Sequence, residues 1–314
     1  MVLALVAGVF VFLLPGRGFN DDPMSTMEHA VRARALNLSG YPDTAPSQPI
    51  QLLFIHHSCG GQLLAAPGPA AGDNSIHPTH PNGGGLRARL EQASYGVHEA
   101  GYGSRIGQAT DIFDWPAKFR DQLDGMLACD SQDVCYTNGL RNRIVVFKSC
   151  FPNNDFRAEG HAPGNPQGPE LTVWNAKAAY AALLPEFAKY PDTLFVCVTA
   201  PPLAPKSAPP QPRWRRFVNQ ALGRWPDPAA AGRLAREFNT WLVDQAGWLQ
   251  HSTLTNVVVF DYYDILTGEG ASNLSVYATG DGYDSHPSTQ GNQRAAAAFE
   301  RFLNRAVRRA GITP

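Results

Sequence analysis

The chain has 314 residues, 44% of them hydrophobic and 17% charged, enough apolar material for a sizeable core and too much for a largely disordered chain. Lysine plus arginine number 26 and aspartate plus glutamate 27, a net charge of −1. That balance excludes non-specific nucleic-acid binding, which needs a basic surface to neutralise phosphates.

Residues 1–18 carry an apolar run from Val2 to Leu14. The run is short for a transmembrane helix but suits the core of a secretory signal, although a charged leader and a small-residue cleavage site are missing. We expect an extracytoplasmic protein, secreted or tethered to a membrane through this segment; a buried amino-terminal helix is the alternative. Residues 19–48 are polar and contain proline and glycine, so they read as a linker or wrapping segment ahead of a domain at 49–314.

From there apolar runs alternate with helical patterns. Strands are predicted at 50–55, 95–100, 143–148, 193–200 and 256–263, and helices at 85–94, 111–128, 172–190, 228–250 and 292–311. Pro116 fits a first helical turn, and Gly311 reads as a C-cap. The strand runs lack polar alternation, as expected for strands buried on both faces of a parallel sheet. The alternation predicts a three-layer α/β domain with right-handed crossovers. Ligands bind beyond the carboxyl ends of the strands in such sheets. The stretches 65–84, 156–171 and 200–227 read as loops walling a pocket, the last with a Pro-rich start at 200–212 and Trp214 in "RWRR" at 213–216.

Five cysteines are present: Cys59, Cys129, Cys135, Cys150 and Cys197. Cys129 and Cys135 bracket a short polar loop that a disulfide could close, which fits an oxidising compartment. Cys150 and Cys197 read as buried small hydrophobes, and Cys59 as a free thiol.

The strand ends carry the chemistry. Ser58 lies three residues past Ile55, with Gly60 and Gly61 offering a tight turn and backbone N–H groups. The second strand runs into "GYGSRIG" at 101–107, with Gly101 and Gly103. The third runs into "SCFPNND" at 149–155, with Asn153, Asn154 and Asp155. After the fifth comes "DGYDSHPSTQGN" at 281–292, with Asp284 and His286. A hydroxyl, an imidazole and a carboxylate, with backbone and amide donors, are the inventory of acyl transfer. Ser58 would be the nucleophile, His286 the general base and Asp284 the group that orients the ring.

In these blocks, "HHSCGG", "EAGYGS", "FPNND" and "YDSHPSTQGN" followed by an alanine-rich helix, the sequence resembles the SGNH (GDSL-like) hydrolases over about residues 50–308. The resemblance implies a five-stranded parallel sheet of flavodoxin-like order 2-1-3-4-5 and no metal or organic cofactor. It also implies an oxyanion hole from a glycine N–H, with Gly103 favoured, and an asparagine amide, Asn154 or Asn153. The chain departs from the family at two points. Ser58 follows His56 and His57 rather than Gly-Asp, and the acid normally three residues before the histidine is Tyr283 here. Asp284 is therefore the nearer acid, with Asp281 as an alternative.

His56, His57, His77 and His80 raise the question of a metal, but no acid or cysteine completes a recognisable ligand set. His57 reads instead as a residue that helps position Ser58. The expected function is a serine esterase acting on a small-molecule or carbohydrate ester, such as an acetyl or short acyl group on a sugar. The alternatives are an acyltransferase with the same triad and a non-catalytic glycan-binding or surface protein on the same scaffold.

Overall fold

The computed structural model describes residues 36–206 and 228–312. The apolar run at 2–14, residues 207–212 of the Pro-rich stretch and the 213–216 cluster with Trp214 lie outside the described residues.

Five strands form one sheet: β1 (Ile50–Ile55), β2 (Tyr95–Ala100), β3 (Ile144–Lys148), β4 (Leu194–Val198) and β5 (Val257–Phe260). Every neighbouring pair is parallel, and the spatial order is β2-β1-β3-β4-β5. β1 is an interior strand between β2 and β3, with Leu52 in register with both Val97 and Ile144. Alternate β1 side chains enter two cores. Leu53 and Ile55 join Trp115, Phe119, Tyr180 and Phe238 on one face. Leu52 and Phe54 join Leu63, Leu90, Phe299 and Leu303 on the other. Burial on both faces is why the strands read as unbroken apolar runs.

The first face is covered by α3 (Trp115–Ala128), α4 (Val173–Ala181) and α5 (Pro228–Val243); the second by α1 (Ser58–Leu64), α2 (Leu86–Gln92) and α6 (Thr289–Arg309). This is the three-layer arrangement and strand order expected above. On the second face, Leu38 of the described 36–48 segment is buried, and the Asn304 amide of α6 donates to Asp43 O at 2.9 Å.

Four local expectations need correction. The 172–190 helix breaks after Ala181 and resumes as a short turn at Leu184–Phe187, because Pro185 has no N–H to continue the ladder. The fifth strand stops at Phe260, because the Asp261 carboxylate accepts the Asp264 N–H at 3.0 Å and starts a helix at Tyr262–Leu266. The 65–84 stretch is a small three-stranded sheet of Ala66–Pro67, Ile76–His80 and Ala71–Asp73 rather than a loop. Gly60 and Gly61 lie inside α1 rather than in a turn. Glycine is needed there for close packing: a Cβ on Gly60 would lie 2.3 Å from His56 Cβ, and one on Gly61 1.8 Å from Ser75 O.

Cys129 and Cys135 face each other across a two-stranded hairpin as free thiols. No helix among the described residues is long and apolar enough to cross a membrane.

Candidate active site

β1 ends at Ile55, His56 and His57 bridge the gap, and Ser58 opens α1. The serine therefore stands just past the carboxyl end of β1, and its backbone N–H is one of the first-turn amides that a helix leaves without an internal acceptor. His57 occupies the N-cap position, yet its ring turns outward. Its Nε2–H donates to Gly107 O at 2.8 Å, and its face stacks on Tyr102 with centroids 3.6 Å apart. Burial pushes the His57 ring below its ordinary value, against the opposing pull of that carbonyl.

His286 arrives from the far end of the chain, on a short strand, Asp284–Pro287, paired antiparallel with Ala278–Thr279. Ser285 Oγ accepts the Ala204 N–H at 2.9 Å and Thr279 Oγ1 donates to His286 O at 3.0 Å, so the segment is anchored on both sides. His286 Nε2 lies 3.0 Å from Ser58 Oγ, and Nδ1 lies 2.7 Å from Asp284 Oδ1. The same carboxylate oxygen accepts the His286 backbone N–H at 3.0 Å. With the carboxylate on Nδ1–H, Nε2 is left as an acceptor for the serine hydroxyl. Burial alone would raise the Asp284 carboxyl, but the two His286 hydrogen bonds outweigh it and hold it below the usual carboxylate range. The ring edge meets Phe151 at 5.1 Å.

The remaining candidates lie as follows. Gly103 has φ +90°, which favours glycine, in the turn between Tyr102 and Ser104. The turn is fixed by Asp133, whose carboxylate accepts the N–H groups of Arg105 and Ile106 at 2.6 and 3.0 Å. Asn154 is fully buried. Its amide donates to Ala200 O and Pro201 O at 2.8 and 3.0 Å, and its Oδ1 accepts from Asn239 at 2.9 Å. Asn153 donates to Asp111 Oδ1 at 2.7 Å and accepts from the Ile112 N–H at 2.8 Å. Both asparagines, expected as oxyanion donors, thus direct these bonds to the scaffold and bind the 151–154 turn to its neighbours. Asp281 sits at φ +55° in the turn before the histidine strand, with its backbone oxygen accepting Lys206 Nζ. The carboxylate on the His286 ring is that of Asp284.

Three features add to the sequence reading, in which Lys148 is only an unusual charge at a strand end. Cys150 touches the serine, its Sγ 3.6 Å from Ser58 Oγ. Lys148, at the end of β3, is completely buried. His56, also completely buried, lies 3.0 Å from Glu99 Oε2, and Glu99 in turn pairs with Arg87. Burial would raise the Glu99 carboxyl, but His56 and Arg87 together hold it below its ordinary value. The His-Glu pair under the serine was legible only as two residues 43 positions apart in sequence, with no local motif to join them. Among the described residues, no group of three or more His, Cys, Asp or Glu side chains is arranged to hold a metal ion. His77 and His80 pack ring to ring at 5.0 Å.

Burial lowers the rings of His57, His77, His80 and His98 alike. The unfolded chain therefore takes up protons near pH 6.5, where the folded chain still resists them. Stability contributed by these rings is present above about pH 6.5 and is lost as pH falls below it. The melting temperature should drop by a few degrees between pH 7.5 and pH 5.5 in scanning fluorimetry. A flat or rising profile over that window would contradict the burial argument.

No protein-family model matches the sequence, and no curated protein matches it. Among solved structures, the chain is similar to a carbohydrate esterase family 2 enzyme with a carbohydrate-binding domain from Corynascus thermopiles (Myceliophthora fergusii). The two are 15% identical, with 84% of this chain and 67% of that chain covered and a TM-score of 0.37.

Proposed function

We propose that the protein is a serine esterase of the SGNH type, with Ser58 as nucleophile, His286 as general base and Asp284 as the orienting acid. One observation carries this reading: the unbroken Ser58–His286–Asp284 chain of contacts at 3.0 and 2.7 Å, on the carboxyl edge of a parallel sheet. In the proposed reaction Ser58 Oγ attacks the acyl carbon while its proton passes to His286 Nε2, and Asp284 stabilises the imidazolium. The ring then gives the proton to the leaving alcohol. Water, deprotonated by the same ring, releases the acid from Ser58. The proposed oxyanion donors are the backbone N–H groups of Ser58 and Gly103, since the Asn153 and Asn154 amides serve the scaffold.

The proposed substrate is an acetyl or short acyl ester of a carbohydrate. Two exposed aromatic rings near the triad support this choice, Tyr102 stacked on His57 and Tyr283 next to Asp284. Tyrosine offers an apolar face with a polar tip, suited to a sugar. We also propose, from the apolar run at 2–14, that the protein works outside the cytoplasm.

The test is covalent labelling. A fluorophosphonate should modify the wild type at Ser58, mapped by peptide mass, and leave Ser58→Ala unmodified. The wild type should hydrolyse p-nitrophenyl acetate and an acetylated-sugar panel, and the variant neither. An unlabelled, inactive wild type would reject the esterase reading in favour of a non-catalytic glycan-binding protein. Transfer of the acyl group to an added sugar instead of water would make the protein a transferase.

A further inference from the structure

The nucleophile has a neighbour that the proposed reaction does not use. Cys59 and Cys150 are 91 residues apart in sequence, yet their sulfurs lie 3.3 Å apart, and the Cys150 sulfur also touches Ser58 Oγ at 3.6 Å. Cys59 is the second residue of α1, and Cys150 lies two residues past β3. The two thiols therefore join the start of α1, which carries the serine, to the turn that carries Phe151, the ring against His286.

The two sulfurs are not equivalent. Cys59 is completely inaccessible, and burial pushes its thiol well above the ordinary range. Cys150 retains 8% exposure. Its thiol is held well below the ordinary range, first by its hydrogen bond with Cys59 and then, against the effect of burial, by the charge of Lys148. The Lys148 ammonium is completely buried, with Nζ on Ser149 O at 3.1 Å. Two sulfurs 3.3 Å apart, one of them favoured as the thiolate, are the arrangement of a reactive cysteine beside a resolving partner. The hairpin pair differs: burial pushes Cys129 up to about 11, which keeps it a thiol.

We propose that Cys59 and Cys150 form a peroxide-responsive dithiol whose oxidation to a disulfide switches off Ser58. The Cys150 thiolate attacks one oxygen of hydrogen peroxide. The S–O bond forms, the O–O bond breaks, and the departing hydroxide takes up a proton as water, leaving a sulfenic acid. Cys59 gives up its proton and attacks the Cys150 sulfur, which expels a second water. Two thiols and one peroxide become one disulfide and two waters, and a dithiol reductant reverses the change. Closing the sulfurs from 3.3 Å to a bond of about 2.05 Å draws the start of α1 and the 151–154 turn together by roughly 1 Å. Ser58 adjoins one of these cysteines and Phe151 the other, so the shift falls on the Ser58–His286 contact. A misplacement of about 1 Å can cost on the order of a hundredfold in rate.

The activity arm of the test rests on the reading of Ser58 as nucleophile; the disulfide arm does not. Reduced full-length protein is treated with one equivalent of hydrogen peroxide, alkylated, and peptide-mapped without reductant. Turnover of p-nitrophenyl acetate is measured before oxidation, after it, and after dithiothreitol. We expect a Cys59–Cys150 linked peptide, at least a tenfold loss of kcat/KM, and recovery with dithiothreitol. In Cys59→Ala no link forms, and with a several-fold excess of peroxide in place of one equivalent Cys150 proceeds through the sulfenic to the sulfinic acid, so the loss is not recovered. Two free, alkylatable thiols after peroxide would overturn the proposal, and so would linked protein with undiminished turnover. A link forming in protein that is inactive even when reduced would uphold the thiol pair and overturn the Ser58 reading.

Discussion

His286→Ala is expected to lower kcat/KM for p-nitrophenyl acetate by about 10⁴-fold or more while leaving the melting temperature within a few degrees of wild type. The imidazole has two coupled roles. At 3.0 Å from Ser58 Oγ, the ring is the group that would remove the hydroxyl proton as the bond to carbon forms. Without it the serine must attack as a neutral alcohol, and the leaving group must depart without a proton. Asp284→Ala should be milder by roughly one to two orders of magnitude. Its side chain is 50% exposed, so water can take over part of the stabilisation of the imidazolium. The melting temperature should hold because His286 stands at the rim, outside both cores. Rates within tenfold of wild type for His286→Ala would remove the imidazole from the mechanism.

Gly61→Ala is expected to destabilise the fold by about 3 kcal/mol or more, a fall of roughly 6–12 °C in melting temperature. A Cβ there would lie 1.8 Å from Ser75 O, a backbone atom that cannot rotate away. Either α1 lifts from the small sheet at 66–80, or the Ser75 turn opens. Ser75 Oγ also accepts the Tyr102 N–H at 3.1 Å, so its displacement reaches the turn that carries Gly103. Activity should fall together with stability, because α1 carries Ser58 at its first position. A melting temperature within about 2 °C of wild type would mean that α1 is less tightly seated than its glycines imply.

Much of the architecture was written locally. Runs such as Leu52–Ile55 and Val145–Phe147 are apolar because both faces of their sheet are covered, and that requirement leaves its mark residue by residue. Pro116 in the first turn of α3 and Ser288 capping α6 are likewise short-range signals. Misreadings came where a local signal was outweighed by a neighbour a few residues away, as when Asp261 turned the end of a strand run into a helix start. The 65–84 stretch misled for another reason: its short strands are stabilised by pairing and by α1 packed on them, not by their own composition.

By itself the sequence determined the five strands of the main sheet and the main helices around it, that those strands lie buried and parallel, and that Ser58, Asp284 and His286 stand near the ends of such segments. Only the tertiary structure decided that the hydroxyl and imidazole of residues 228 positions apart lie 3.0 Å from each other. It decided too that Asn153 and Asn154 face the scaffold, and that Cys59 and Cys150 meet beside the serine. The physical reason is range. Backbone propensity and burial act over a few residues and leave a periodic trace, whereas the direction of a side chain at a strand end is set by neighbours contributed from distant parts of the chain, and no local pattern records them.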